Sequence, residues 1–478
     1  MPINNFRIFI LTYLSILLGC IGLLFFLRQE YSWLFVYKYV EYFLLVNLLL
    51  VGYSHLRNGK ITLLWIFTLS FVVKFAYANL LYFQFLYLQG APFQAGAQFD
   101  EFTYYTFSKV FASKDSYDIF LMADLLDFPV NYLGYPYVMA LLYRMFGVST
   151  YWHVLVNPLV MSLAVLCFYS FFKRVFSFTK SENRLLVACL IFSANLMYFS
   201  GLNLKDSFLL FLVGLCFEIM ARSFFGKYKV RICFLLLPPL LLLMFFFRVQ
   251  YAVLMVVFLL MFIFFTTKKK RGGFNKKHLL FWFCLPVVTF VVLGEFEVEF
   301  ITHFFSPEFV SMQFERFSKW NLFKSVSPIQ LMGALPFLPL VFLLPLPILA
   351  DIPSSSGSMA YTTEVFKVPI DIELSVVYIV VLLGGFRWFV YYRKKETFRK
   401  PQIKIFFCIL LMVIISLLVT NYITYERHRL LLTVLTLPLF VKSIRYFNQR
   451  TLYILATFLL VVMTFSYTVV RLYGRGLL

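Results

Sequence analysis

The sequence predicts an all-α polytopic membrane protein, with about 13 transmembrane helices and further interfacial or re-entrant helices in two long external loops. Three observations carry that expectation. First, 62% of the 478 residues are hydrophobic and only 14% are charged, and the mean hydropathy is +0.85. No water-soluble globular domain has that balance. Second, apolar runs close to the ~20 residues that cross a bilayer recur from one end of the chain to the other. Third, the net charge of +21 is spread in short clusters between those runs, as in the cytoplasmic loops of membrane proteins. Charge placed this way argues for a membrane and against a nucleic-acid partner.

The runs divide the chain into two N-terminal spans (1–60), a core (61–293) with a first external loop (84–150), a second external loop (294–372) and a C-terminal group of spans (373–478). The first two spans are 6–27 and 34–53, and the first is read as retained because no small-residue cleavage site follows it. The basic turn His55 to Lys60 is cytoplasmic by the positive-inside rule, so the span 61–82 delivers the chain to the outside. Within the first external loop, 138–146 is apolar but too short to cross and reads as a helix at the interface. Spans follow at 154–172, 185–199, 207–220, 232–247, 251–265 and 279–293. Their basic ends include Lys173-Arg174, Arg222 and Lys268 to Arg271. In the second loop the apolar stretch 331–350 contains Pro336, Pro339, Pro345 and Pro347, which break a straight helix and favour a re-entrant pair. The last spans are 374–391, 405–419, 430–441 and 452–470. With this alternation the basic loops lie on one side and the acidic clusters on the other.

Only the acidic side carries groups suited to chemistry. Asp100-Glu101 stands just beyond the span 61–82. A carboxylate there can act as a general base or, through oxygen ligands, hold a divalent cation such as Mg or Mn; it can also simply cap a helix. The short turn Asn203-Leu204-Lys205-Asp206 holds a cation able to meet a phosphate and an acid placed in the first turn of the next helix. Arg248 sits in the turn 248–250, where it either snorkels to headgroups or contacts a lipid phosphate. Arg427, His428 and Arg429 put three cationic groups on the side where the inside-positive trend predicts few, which points to an anion. An internal Glu426–Arg pair is the plainer alternative. Lys38 and Glu41 are expected to pair with each other, while Lys74 is read as a partner or a cavity-facing group. The seven cysteines lie in apolar runs without metal-ligand spacing, and His153 and His303 stand alone.

The order Phe99-Asp100-Glu101-Phe102-Thr103-Tyr104, then Leu133-Gly134-Tyr135-Pro136-Tyr137, then Gly201 to Asp206, then Arg427-His428-Arg429 before an apolar run resembles the GT-C superfamily. These are polytopic glycosyltransferases that use polyprenyl-phosphate sugars, and the likeness is nearest to protein mannosyltransferases and lipid A aminoarabinose transferases. The resemblance implies Asp100 as base with Glu101 beside it, Asp206 positioning substrate or metal, and Lys205, Arg248, Arg427, His428, Arg429 and Tyr135 meeting the substrate. It implies an inverting transfer to a lipid, glycan or protein acceptor at the periplasmic or extracellular face of a bacterial inner membrane. Two features depart from the family pattern: two spans precede the acidic loop, and Lys205-Asp206 stands in place of an acidic pair. A polymerase or ligase acting on undecaprenyl-pyrophosphate glycans, or a lipid-linked glycan flippase, remains an alternative at this point.

Overall fold

A computed structural model describes residues 63–93, 100–114, 118–126, 128–225, 230–267, a set of helical residues between 370 and 384, 400–419 and 429–444. The expected spans 6–27, 34–53, 279–293 and 452–470, the proline-rich stretch 331–350, and the residues Arg427 and His428 lie outside the described residues. Among those described, every regular element is helical. They are α1 (Leu63–Gln89), α2 (Asp100–Ser113), α3 (Ile119–Leu126), a 3-10 turn (Val130–Tyr132), α4 (Gly134–Phe146) and α5 (Trp152–Val175). After these come α6 (Lys180–Phe192), α7 (Ala194–Gly201), α8 (Asp206–Phe225), α9 (Val230–Phe247), α10 (Val249–Thr267), α11 (Pro401–Val419) and α12 (Leu430–Ile444).

Four stretches are long and apolar enough to cross a membrane: Leu63–Tyr87, Trp152–Val175, Lys180–Gly201 and Asp206–Phe225. Their apolar character runs around much of each helix, so neighbours must be chosen by shape rather than by a single stripe. Small residues make that choice. A Cβ added at Gly214 of α8 would stand 3.0 Å from the Phe168 ring of α5, so these two helices pack at close range. Phe217 then stacks on Phe171 with centroids 5.0 Å apart. A Cβ at Gly201 would come 3.1 Å from Cα of Ala78, which fits α7 tightly against α1.

Basic groups gather at one end of this bundle. Thr179 and Glu182 form a capping box at the start of α6. Glu182 also takes Lys442 of α12 at 2.7 Å, and the two side chains are buried together. Glu218 of α8 accepts from Ser170 at 2.6 Å and pairs with Arg174 at 3.3 Å and with Arg222. Asp100, Glu101 and Asp206 lie at the opposite, acidic end, where α2 and α8 begin.

Three expected boundaries change. The span 185–199 is not one helix: it is α6 and α7, parted at Ser193, whose ψ of 118° leaves the helical range. The turn 248–250 is Arg248 alone, because α10 begins at Val249. The interfacial helix expected at 138–146 starts earlier, at Gly134, since Pro136 sits in the first turn, where a missing N–H costs nothing.

Candidate functional site at the acidic end

Two segments far apart in sequence are tied together here. Asp100 and Glu101 form the first turn of α2, where the helix dipole favours carboxylates. Asp100 is exposed, while Glu101 is only 3% exposed. Glu101 turns inward to Asn203: its Oε2 accepts the Asn203 backbone N–H at 2.9 Å, and its carbonyl accepts from Asn203 Nδ2 at 2.8 Å. The Tyr135 hydroxyl donates to Asn203 Oδ1 at 2.7 Å. From α5, Asn157 Nδ2 donates to the carbonyls of Leu202 at 2.5 Å and Leu204 at 3.2 Å. A non-helical turn buried at the end of a bundle must have its peptide groups met in this way. The result is a latch joining α2, α4, α5 and the turn 202–205.

The latch positions the charges. Lys205 is fully buried, with Nζ 3.9 Å from the Tyr132 ring centre and 5.8 Å from that of Tyr104, so aromatic faces line its cation. Asp206 opens α8 and is buried beside it. Tyr135 lies between the rings of Tyr104 and Phe208, each at 5.7 Å. Burial pushes its phenol well above the usual value, and the hydrogen bond from Asn157 works the other way. The hydroxyl therefore stays protonated and serves as a donor. Phe208 stacks on Phe247, the last residue of α9, with centroids 5.6 Å apart. That contact sets the Arg248 turn beside the same group.

The structure thus brings Asp100, Glu101, Tyr135, Lys205, Asp206 and the Arg248 turn to one end of the bundle. Two of the expected roles meet limits here. Glu101 is only 3% exposed and its Oε2 takes the Asn203 N–H, which suits a positioning role. The metal site imagined at Asp100, Glu101 and Asp206 does not form as a cluster: among the described residues no three His, Cys, Asp or Glu side chains gather in a way that could hold a metal ion. Arg429, expected with the phosphate-binding cations, is buried at the start of α12 and belongs to a second polar group.

That second group surrounds the break at Ser193. Interrupting a helix frees carbonyls below and amides above. Lys74 of α1, fully buried, donates to the freed carbonyls of Ile191 at 3.1 Å and Leu190 at 3.5 Å, and to Ser70 Oγ at 3.0 Å. Glu373 accepts the Asn195 N–H at 2.9 Å, and Ser193 Oγ accepts that of Leu196 at 3.3 Å. Each charge faces the helix end whose dipole suits it. Asn195 Nδ2 donates to Thr433 Oγ1 at 2.9 Å, and Thr433 in turn donates to the Arg429 carbonyl at 3.0 Å. Glu373 lies within electrostatic reach of Lys74, and Tyr378 within reach of Arg429.

Asn157 and Glu373 carry these arrangements and were not singled out from the sequence. Asn157 had one signal, a lone amide in an otherwise apolar start of a span. Glu373 had another, a carboxylate at a span's edge that could answer the mid-span Lys74.

The described residues define a class: an all-helical protein with four helical stretches long and apolar enough to cross a membrane. No family model, curated protein or solved structure matches the chain.

Proposed function

We propose that this chain is an integral membrane glycosyltransferase of GT-C type, moving a sugar from a polyprenyl-phosphate carrier to a hydroxyl on a lipid, glycan or protein acceptor at its external face. The observation that carries the reading is the latch: Glu101 and Asn203 fix the exposed Asp100 on the same end of the bundle as the ring-lined cation of Lys205. Asp100 takes the acceptor's proton. The acceptor oxygen attacks the anomeric carbon, the bond from that carbon to the phosphate oxygen breaks, and the phosphate leaves with the bonding pair. Arg248, part-exposed at its turn, meets the charge that develops on it, and Lys205, buried behind the Tyr132 and Tyr104 rings, adds its field from within a site of low dielectric. Asp206 orients the sugar, and Glu101 acts through Asn203 as a positioning residue. The protein is assayed in vesicles against a panel of undecaprenyl-phosphate sugars, reading release of undecaprenyl phosphate. Asp100→Asn should lower turnover by about 10²–10⁴-fold with stability unchanged. Turnover close to that of the parent removes Asp100 from the mechanism.

One observation favours a second reading, a lipid-linked glycan flippase: Lys74, Glu373 and Arg429 set charges around a broken helix, a construction found where transporters bind their cargo. Movement of a labelled lipid-linked glycan across the vesicle, with no covalent product formed, selects it over the transferase.

A further inference from the structure

Seven of the eight residues of α3, Ile-Phe-Leu-Met-Ala-Asp-Leu-Leu, lack a polar side chain, and the eighth, Asp124, is exposed between Phe120 and Leu121. Such a helix is stable when protein or lipid surrounds it. Among the described residues protein covers one side, where Met122 and Ala123 pack on Phe111, Leu133 and Ala140. The other side carries Asp124 and is otherwise apolar: Phe120 is 45% exposed, Leu121 53% and Leu125 56%. The helix is nonetheless firmly begun, since Asp118 Oδ1 accepts the N–H of Phe120 at 2.8 Å.

Its position says what covers it. The Phe120 ring meets Phe246 edge-on at 6.3 Å, at the acidic end of α9. The apolar helix α9 exposes Leu235, Leu236, Leu242 and Leu243 along its length. From this corner α4 crosses the end of the bundle to α5, where Phe146 packs on Trp152 at 5.3 Å. There Met145 and Phe146 are bare as well, and Leu155 and Leu159 continue the exposed surface down the bilayer-length helix α5. At both corners, therefore, the apolar surface of the loop runs on into the outward surface of apolar helices.

We propose that α3 is a leaflet anchor, with Leu121 and Leu125 among the acyl chains at the acidic end, Phe120 at the boundary beside Phe246, and Asp118 and Asp124 at the headgroups. A surface helix of this kind sits about 5–10 Å into the boundary between headgroups and chains. It holds the whole segment from α2 to α4, and with it Asp100, at headgroup depth. This inference stands independently of the transferase reading.

The test uses the full chain in phosphatidylcholine vesicles. Leu121→Trp and Leu125→Trp are each read as a difference from the parent, which has six tryptophans. Phosphatidylcholine brominated on its acyl chains should quench most of the added emission, and acrylamide should quench little of it. Lys109→Trp, on an exposed site of α2, should give the reverse. Quenching of the 121 and 125 sites by acrylamide alone overturns the proposal by placing the face in water. Quenching by neither overturns it too, because another stretch of the chain or a second copy then covers the face. Each variant must keep the parent's far-UV circular dichroism and elution, and Phe120→Trp replaces either one that does not.

Discussion

The turn at 202–205 and the break at Ser193 stand at the two ends of α7, which is only eight residues long. Both leave backbone groups outside regular hydrogen bonding, yet different chemistry meets them. At the outer turn amides do most of the work, through Asn157 and Asn203, joined by the Glu101 carboxylate. At the inner break full charges are used, Lys74 on the carbonyls and Glu373 on the amides. The groups to be met explain the difference. At Ser193 two helix ends face each other, and their dipoles favour a cation on the freed carbonyls and an anion on the freed amides. The turn 202–205 offers scattered N–H and C=O groups, which side-chain amides can meet because each carries a donor and an acceptor.

If this comparison is right, the inner break is the more sensitive of the two. Lys74→Met leaves the part-buried Glu373 without a nearby cation and two buried carbonyls without a donor. It should cost about 3–5 kcal/mol, read as a lower thermal midpoint in detergent. Lys74→Met combined with Glu373→Gln should cost clearly less than the sum of the single changes, and a double-mutant cycle that comes out additive would show that the two charges do not act together. At the rim, Glu101→Gln should cost about 1.5–3 kcal/mol, the usual worth of a hydrogen bond to a charged group. It should also lower turnover more than donor affinity, because Asp100 is no longer held in place.

Smaller effects sharpen the picture. Gly201→Ala forces a Cβ against Ala78 and should cost about 1–3 kcal/mol through displacement of α7 from α1. Tyr135→Phe removes the donor to Asn203 Oδ1 and should cost about 1 kcal/mol near neutrality. Its pH dependence identifies the cause. Because burial raises the phenol above its ordinary value of 10.0, the folded state holds the proton more tightly than the unfolded state. That contribution is complete below the unfolded value and falls away as pH rises past it. The parent should therefore lose stability above about pH 10 more steeply than Tyr135→Phe, and parallel alkaline curves would remove Tyr135 from the latch.

The helical class and four bilayer-length stretches could be read in the sequence, because long apolar runs are patterns that no single residue decides. The helix starts at Trp152 and Asp206 lie within a few residues of the runs that announce them. The break at Ser193 was hidden, since Ser193-Ala194-Asn195 contains neither glycine nor proline and its partners lie more than a hundred residues away in both directions. Acidic residues drew attention to the site, but charge alone does not tell a reactive carboxylate from a committed one. Asp100 and Glu101 are adjacent, and the helical turn they share sends one outward and the other into the protein. The one signal at Asn157 was weak, because an amide in an apolar run has many ordinary uses. Arg429 was read with its neighbours Arg427 and His428, although it directly precedes α12 and is buried with that helix.

The reach of α12 has a consequence for biogenesis. Lys442 meets Glu182 across 260 positions, and Thr433 meets Asn195 across 238. A ribosome releases α6 and α7 long before it releases the helix that completes them, so a carboxylate and an amide must wait in the translocating chain for their partners. Chains stopped ahead of residue 429 should be cleared by quality-control proteases, and supplying α12 as a separate peptide should restore them.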